Sequence, residues 1–341
     1  MRRAVIDSLV FPGTNMAFEL GHVEFEAHGE IQEGMLVTRD GDKSIPIRNF
    51  IPRFVPDSSY TSNFGLQWNH FRRTQLDRFN GTTITSDRFY AGTGWSPKEL
   101  YVQRILEVGC GAGRFTQVML DAGAEVWSLD YSTAVDACWA NNGPHPRLCV
   151  VQGSLYAMPF EKSSFDKVFC FGVLQHTPHV KLAFMSLIPF LKPQGKLAVD
   201  FYRKEKWPTR WTSKYLWRPV TKRVSNELLF KIVEWYVPRW LPFDNRLDEM
   251  RLFWRFAKYI RGIVPCWNYA GMLPLTDVQL KEWAILDTFD ALSPTYDQPQ
   301  SIDVIRHWFQ EARLTDINVR YGGNGIEGCG VKPNECIPRQ D

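Results

Sequence analysis

The sequence of 341 residues contains no two cysteines in the C-x-x-C spacing, although it has seven cysteines in total. An odd number of widely spaced cysteines fits neither a zinc ribbon nor a disulfide framework. Free thiols persist in a reducing compartment. We therefore expect a cytoplasmic protein that holds no metal ion.

The sequence also lacks a long apolar run and a strong net charge of either sign. No segment reaches the ~20 consecutive apolar residues that a membrane-spanning helix needs, so we expect a soluble chain. The formal net charge is only +3, which does not by itself require a nucleic-acid partner. Apolar residues make up 44% of the chain and aromatic residues 14%, which predicts a large core. The length is enough for about two units.

The most informative segment is a glycine-rich turn between a predicted strand and a predicted helix. The apolar run 105–108 leads into Gly109, Gly111 and Gly113. Glycines allow a sharp turn and let a ligand approach the backbone without meeting Cβ atoms. The next predicted strand ends at Asp130, whose carboxylate suits a ribose diol. This order of elements indicates a site for a nucleoside-bearing cofactor.

The spacing of the glycines discriminates between cofactors. Dinucleotide sites use G-x-G-x-x-G, in which the third glycine lets the helix pack closely on the strand. Arg114 stands at that third position here, and the pattern is G-x-G-x-G. Taken alone, the triplet leaves open a tight strand-to-helix turn that binds nothing.

With its neighbours, the segment resembles motif I of class I S-adenosylmethionine-dependent methyltransferases, of the type 11 kind. Glu107 matches the acid that opens this motif, and Asp130 matches the acid that takes the ribose hydroxyls in that family. The later segments 151–160, 165–178 and 191–200 resemble the adenine-side segment, the fourth strand and the fifth strand. The resemblance implies S-adenosyl-L-methionine as the cofactor. It also implies an α/β fold with a Rossmann-like seven-stranded sheet, mostly parallel with one antiparallel strand.

The resemblance also assigns a cofactor site residue by residue. The expected cofactor-binding residues are Glu107, Gly109, Gly111, Gly113, Asp130, Ser154, Leu155 and Gln175. Ser154 stands where the family usually has an aspartate, so the contact to the adenine amino group is expected to be weaker or to come from the backbone.

The chain divides into four predicted segments. Residues 1–58 form a small β-rich lead-in that resembles the zinc-ribbon-like module of some methyltransferases without its metal ligands, since the first cysteine is Cys110. Residues 59–202 form the methyltransferase core, beginning with a helix over 60–80 that packs on the sheet edge or closes over the cofactor through Tyr60, Gln67 and Trp68. Residues 203–300 form a helical insertion after strand five. Residues 301–341 supply the final helix and the closing hairpin.

The insertion is basic and rich in tryptophan. Residues 203–270 hold fifteen Lys and Arg, six Asp and Glu, and seven of the thirteen Trp. Arg and Trp together suit an anionic or sugar-like ligand, a membrane surface or single-stranded nucleic acid. The simplest alternative is a lid whose Trp side chains form its own core and whose cations are solvated. The N-P-P-[YF] signature of adenine-N6 enzymes is absent, which argues against nucleic acid.

Two residues are candidates for catalysis. His176 lies just past the predicted fourth strand, where an acceptor should sit, and a histidine can act as a base near neutral pH. A structural histidine, or a metal pair with His179 that lacks a third ligand, are the alternatives. Asp290 belongs to the acidic stretch 286–297, which could bind substrate hydroxyls or hold a base, or could serve only helix capping and turns. That stretch resembles the substrate-side segment of uncharacterised methyltransferases that share the Ile-Pro-Arg-Phe and Phe-Gly-x-Gln-Trp features of this chain. Those proteins resemble tailoring enzymes for saccharides or secondary metabolites.

The sequence therefore predicts a cytoplasmic methyltransferase that acts on a small-molecule or carrier-linked acceptor, at oxygen, with saccharides or secondary metabolites favoured. The predicted catalytic residues are His176 and Asp290. Peripheral membrane contact is compatible with the sequence, whereas a nucleic-acid partner is disfavoured. A catalytically silent binding or scaffold protein of the same fold, and a nucleic-acid methyltransferase, are the alternative functions.

Overall fold

The computed structural model describes residues 1–56, 60–207, 209, 211–249 and 254–334. The strands are β1 (Phe18–Ala27), β2 (Glu30–Thr38), β3 (Ser44–Arg48), β4 (Ile51–Pro52), β5 (Arg104–Val108), β6 (Glu125–Asp130), β7 (Leu148–Gln152), β8 (Phe165–Cys170), β9 (Leu191–Phe201), β10 (Thr315–Gly322) and β11 (Gly325–Val331). The α-helices are α1 (Ser62–His70), α2 (Asp77–Asn80), α3 (Ile84–Thr93), α4 (Pro97–Leu100), α5 (Arg114–Asp121), α6 (Ala134–Asn142), α7 (Val180–Leu187), α8 (Lys214–Thr221), α9 (Asn226–Glu249), α10 (Trp254–Ile263), α11 (Asp277–Leu292) and α12 (Ile302–Glu311).

The larger sheet has seven strands in the order β10-β11-β9-β8-β5-β6-β7. Only β11 runs antiparallel to its neighbours, and the strands from β9 to β7 pair in parallel. Alternate residues of β5 enter two different cores: Ile105 packs with α5 and α6, and Leu106 with α7 and α12. Helices therefore cover both faces of the sheet, as parallel strands require. The predicted seven-stranded mixed sheet is confirmed.

The lead-in forms a four-stranded antiparallel sheet in the order β1-β2-β3-β4. The expected hairpin corresponds to β2 and β3, and the ten-residue strand β1 is an addition to it. Arg53 joins this sheet to the larger one, because its guanidinium donates to Asp136 at 2.6 Å and to the Gln152 side chain at 3.0 Å. Within the described ranges, no three His, Cys, Asp or Glu side chains are grouped so that they could hold a metal ion.

The helix expected over 60–80 is interrupted in the structure. Helix α1 ends at His70, and α2 begins only at Asp77. Phe71 leaves the helical conformation and packs into the core of the insertion beside Val233 and Phe289. Burial of this ring in a second core is the physical reason for the break, which periodicity alone does not reveal.

The insertion has its own core, which is aliphatic rather than tryptophan-based. Leu229, Val233 and Val237 from α9 pack against Leu286 and Phe289 from α11. Among the described tryptophans of the insertion, Trp240 packs against this core, so the alternative of a core built mainly from Trp side chains is not what the described residues show. After the insertion, the Ser301 side chain caps α12, and β10 and β11 close the sheet. Among the helices that the structure describes, none is both long and apolar enough to cross a bilayer.

Gly113 is required by helix packing. Its φ is +80°, and a Cβ placed there would lie 2.3 Å from Nδ2 of Asn142 and 2.8 Å from Sγ of Cys138, both on α6. The third glycine of the motif thus lets α5 and α6 approach each other.

We expect Gly113→Ala to lower the free energy of unfolding by about 2–4 kcal/mol, because overpacking adds to left-handed backbone strain. Gly29→Ala is the matched control: its φ is +73° and nothing lies within 4 Å of the added Cβ, so it should cost only about 1–2 kcal/mol. Urea unfolding of both variants measures the difference. Equal losses would contradict the packing role of Gly113.

Candidate active site

A cavity of about 830 Å³ lies at the carboxyl ends of the parallel strands. The segments that follow β5, β6, β7 and β8 all contribute to its wall, through 108–112, 129–131, 153–155 and 171–173. Helix α1 and the insertion supply the opposite wall. Ligands of open α/β sheets bind at this edge, so the cavity is the candidate active site.

Asp130 is fixed at one end of this cavity by hydrogen bonds. The backbone N–H of Gly111 donates to one carboxylate oxygen at 3.0 Å, and the N–H and hydroxyl of Ser132 donate to the other at 2.8 and 2.7 Å. Burial raises the pKa of Asp130 above its usual range, although these donors oppose the rise. The carboxylate is held rigidly at the cavity wall.

Aromatic side chains cover the glycine turn. A Cβ on Gly111 would lie 3.3 Å from Nε1 of Trp68, so the turn and the Trp68 ring are in close contact. Tyr131 follows Asp130 in the chain, and the Tyr60 ring stacks on it with ring centroids 5.4 Å apart. Tyr60 and Trp68 line the cavity, whereas Gln67 does not and instead donates to the Asp290 carboxylate at 2.9 Å.

His176 and Asp290, the two predicted catalytic residues, line the same cavity. Nδ1 of His176 lies 3.0 Å from the backbone carbonyl oxygen of Tyr296. A carbonyl oxygen can only accept, so Nδ1 carries the proton of the neutral ring and Nε2 keeps a free lone pair. Burial lowers the pKa of His176 below its ordinary value of 6.5, which favours this neutral form.

The insertion adds polar and aromatic side chains to the opposite wall of the cavity, which we call the far wall. The Asp287 carboxylate accepts hydrogen bonds from the Tyr269 hydroxyl and, at 3.0 Å, from Nε1 of Trp283. Burial raises the pKa of Asp287 to about 6. The ring centroid of Trp211 lies 5.8 Å from that of Trp267 and 6.0 Å from that of Tyr269.

Comparison with known proteins identifies the family. Residues 106–199 match the family described as "Methyltransferase domain". Residues 106–199 therefore form a methyltransferase domain of the class I, S-adenosylmethionine-dependent kind. The resemblance of the glycine turn to this family is thereby confirmed, and the cofactor that the domain implies is S-adenosyl-L-methionine.

Several curated methyltransferases are similar to this one over part of their length. A demethylmenaquinone methyltransferase of Renibacterium salmoninarum is 32% identical over 97 residues, which are 28% of this chain and 40% of that protein. A mitochondrial ubiquinone biosynthesis O-methyltransferase of Schizosaccharomyces pombe is 30% identical over 103 residues, 29% of this chain and 37% of its own length. A botryococcene C-methyltransferase of Botryococcus braunii is 24% identical over 179 residues, 51% of this chain and 46% of its own. The chain thus spans less than half of each relative.

A solved structure of an S-adenosylmethionine-dependent methyltransferase from Mesorhizobium loti aligns at 25% identity, over 30% of this chain and 49% of that chain, with a TM-score of 0.29.

The chemistry of the cavity wall suits the cofactor. The Asp130 carboxylate can accept from two ribose hydroxyls, and the stacked rings of Tyr60 and Tyr131 offer flat apolar surface for a base. Carboxylates outnumber cations around the cavity, which favours a sulfonium. The acidic lining residues are Asp87, Asp130, Glu205, Asp287, Asp290 and Glu327, and the basic ones are Arg88, Arg114, Arg203 and Lys214.

The other predicted cofactor residues divide into two groups. Gly109, Gly111, Ser154 and Leu155 line the cavity together with Asp130, whereas Glu107, Gly113 and Gln175 lie behind its wall. Glu107 is buried, where it accepts from the hydroxyls of Thr116 and Ser128. Gln175 is fully buried: its backbone oxygen accepts from the N–H of Gln298, and its side-chain amide has no hydrogen-bond partner among the described residues.

Sequence reasoning missed part of the site. Asp287, Tyr269 and Lys214 line the cavity but come from three separate parts of the insertion. The Lys214 ammonium pairs with Asp297 and lies 4.3 Å over the Tyr202 ring. The acidic stretch 286–297 was one signal for this group, but no linear spacing connects its members.

Glu107 makes stability depend on pH. Burial raises the pKa of Glu107 to about 7 from an ordinary 4.5, so between these values the folded chain keeps a proton that the unfolded chain has lost. The contribution of Glu107 to the free energy of unfolding is therefore greatest below pH 4.5. It decreases as the pH rises and is lost as the pH passes 7.

Glu107→Gln removes this titration. We expect the stability of the variant relative to the unsubstituted chain to rise by about 2–3 kcal/mol between pH 4.5 and 7.5. Urea unfolding at several pH values measures the slope, and a relative stability that does not change with pH would contradict the assignment.

Proposed function

We propose that this methyltransferase transfers the methyl group of S-adenosyl-L-methionine to a hydroxyl of a small-molecule or carrier-linked acceptor, with saccharides or secondary metabolites as the favoured class. The observation that carries the proposal is the position of His176, whose neutral ring shares one cavity with Asp130. A base beside the cofactor region is what methylation of a hydroxyl needs.

His176 acts as the base in this proposal. The bound cofactor supplies a methyl group on an activated sulfonium leaving group. The protein therefore has to align the acceptor oxygen and remove its proton. Nε2 of His176 takes that proton, and the charge then carried by the ring is stabilised by nearby Asp290 and Asp297. Gln67 holds the Asp290 side chain in place.

The far wall supports an acceptor with several hydroxyl groups. The rings of Trp211, Trp267 and Tyr269 offer flat apolar surface. The carboxylates of Asp287 and Asp290 offer strong hydrogen-bond acceptors beside those rings. This combination suits the apolar faces and the hydroxyl edges of a sugar.

A quinol is the second candidate acceptor. Two of the similar proteins are named for demethylmenaquinone and for ubiquinone biosynthesis, and the same base chemistry serves a phenolic hydroxyl. The aromatic rings of the far wall would pack against a quinol ring as well as against a sugar.

Transfer of a radiolabelled methyl group to a panel of glycosides, quinols and RNA tests the proposal. We expect label in the hydroxylated small molecules, with glycosides labelled faster than quinols. Label only in quinols would replace the favoured acceptor class, and label only in RNA would favour a nucleic-acid methyltransferase. No label in any acceptor despite cofactor binding would favour the scaffold reading.

With an acceptor in hand, His176→Gln tests the base. We expect kcat to fall by about 10²–10⁴-fold. The acid limb of the pH profile, centred below pH 6.5 because burial lowers the pKa of His176, should disappear. His179→Gln is the control, since His179 is exposed and lies outside the cavity lining. Unchanged kcat in His176→Gln at saturating acceptor would contradict the assignment.

A further inference from the structure

Helix α8 is amphipathic, but its charged face is buried and its apolar face is exposed. Its two cations are buried, with Lys214 6% and Arg218 8% exposed, whereas Leu216 is 50% and Val220 60% exposed. Both buried cations have polar partners. Lys214 pairs with Asp297, and the Arg218 guanidinium donates to two backbone carbonyls of the 291–294 segment. The apolar stripe of α8 is therefore turned away from the protein, against the usual preference for burial.

The exposed stripe of α8 is continuous with exposed aromatic groups from its neighbours. Nε1 of Trp217 donates to the carbonyl of Ile263 at 2.6 Å, and Nε1 of Trp207 donates to that of Gly262 at 3.1 Å. The Trp207 ring also lies 5.9 Å from the ring of Tyr259. We define the aromatic face as the exposed residues Trp207, Leu216, Trp217, Val220, Tyr259 and Ile263.

The surroundings of the aromatic face are basic. Lys206, Lys222, Arg223 and Lys258 are exposed and lie within three residues of its members in the chain. The segments 206–226 and 250–276 contain no aspartate or glutamate. An apolar surface edged with cations matches the interface of a lipid bilayer, where anionic headgroups lie over apolar acyl chains.

The aromatic face borders the active-site cavity. Tyr215, which precedes Leu216 on α8, is exposed and also lines the cavity. Met272, which follows α10 in the chain, is likewise both exposed and part of the lining. A surface docked on this face would therefore lie next to a cavity opening.

We propose that the aromatic face docks on a bilayer of anionic phospholipid and holds this methyltransferase at the membrane interface, with the cavity opening toward it. Its tryptophans and tyrosine sit at headgroup depth, and the surrounding cations attract the lipid phosphates. A second copy of the chain is the competing occupant. Two-fold pairing of the face would bring together two surfaces that carry the same positive charge. The docking proposal does not depend on the acceptor or on methyl transfer.

Vesicle co-sedimentation of the full chain tests the proposal. We expect binding to vesicles of phosphatidylcholine with 30% phosphatidylglycerol, weakened by salt, and little binding to phosphatidylcholine alone. Leu216→Glu with Val220→Glu should weaken the partition at least about 10-fold. Phe25→Glu is the matched control, since Phe25 is 55% exposed on β1 between two glutamates and should leave binding unchanged.

A second pair, Lys222→Glu with Arg223→Glu, tests the charge contribution and serves if the first pair does not fold. Urea unfolding checks that each variant is folded. Absence of binding to anionic vesicles, or equal binding by the unsubstituted chain and both pairs, would overturn the proposal. A dimer that the substitutions dissociate, without any lipid binding, would assign the face to a second copy instead.

Discussion

The hydrogen bond from the backbone N–H of Gly111 to the Asp130 carboxylate is the interaction around which the site is built. It joins the turn after β5 to the end of β6, so two neighbouring strands deliver their ends to one point. A left-handed turn is needed to aim that N–H, and φ values of +80°, +52° and +80° at the three glycines provide it. The cavity, the covering rings of Trp68 and Tyr60, and the packing of α5 on α6 all depend on this geometry.

The three glycines answer to different constraints. A Cβ on Gly109 would collide with Val173 after β8, one on Gly111 would press on Trp68, and one on Gly113 would collide with α6. Only the first two border the cavity. The motif is thus as much a packing device as a ligand cradle, and Arg114 at the next position is free to line the cavity, where it donates to Gln75.

The core of the fold follows from local pattern, because buried parallel strands and helical stripes are written in consecutive residues. The turn at 109–113, the acid at Asp130 and the closing strands could all be placed from the sequence. The break after α1 could not, because it depends on Phe71 entering a core formed by residues more than 150 positions later. The far wall could not be placed for a similar reason: Trp283 and Asp287 lie one turn apart on α11, but Tyr269 reaches them only when the segment before α11 folds back beside that helix.

The composition of the insertion was visible in the sequence, but the use of each side chain was not. Two of its cations, Lys214 and Arg218, are buried and hold 291–297 in place, whereas Lys206, Lys222, Arg223 and Lys258 are exposed. Its tryptophans divide in the same way: Trp211 and Trp267 line the cavity, and Trp207 and Trp217 are exposed. A hydropathy pattern gives the stripe of α8 but not the direction in which it faces, and here that direction is outward.

Calorimetric titration with S-adenosyl-L-methionine and with NAD, on the unsubstituted chain and on Asp130→Ala, tests the central claim most directly. Saturable binding of S-adenosyl-L-methionine at one site per chain is predicted, with no binding of NAD. The substitution should weaken the affinity at least ~100-fold, because it would remove the two charge-assisted hydrogen bonds that we expect Asp130 to make with the ribose. Unchanged affinity in Asp130→Ala, or no binding by the unsubstituted chain, would contradict the assignment of this cavity.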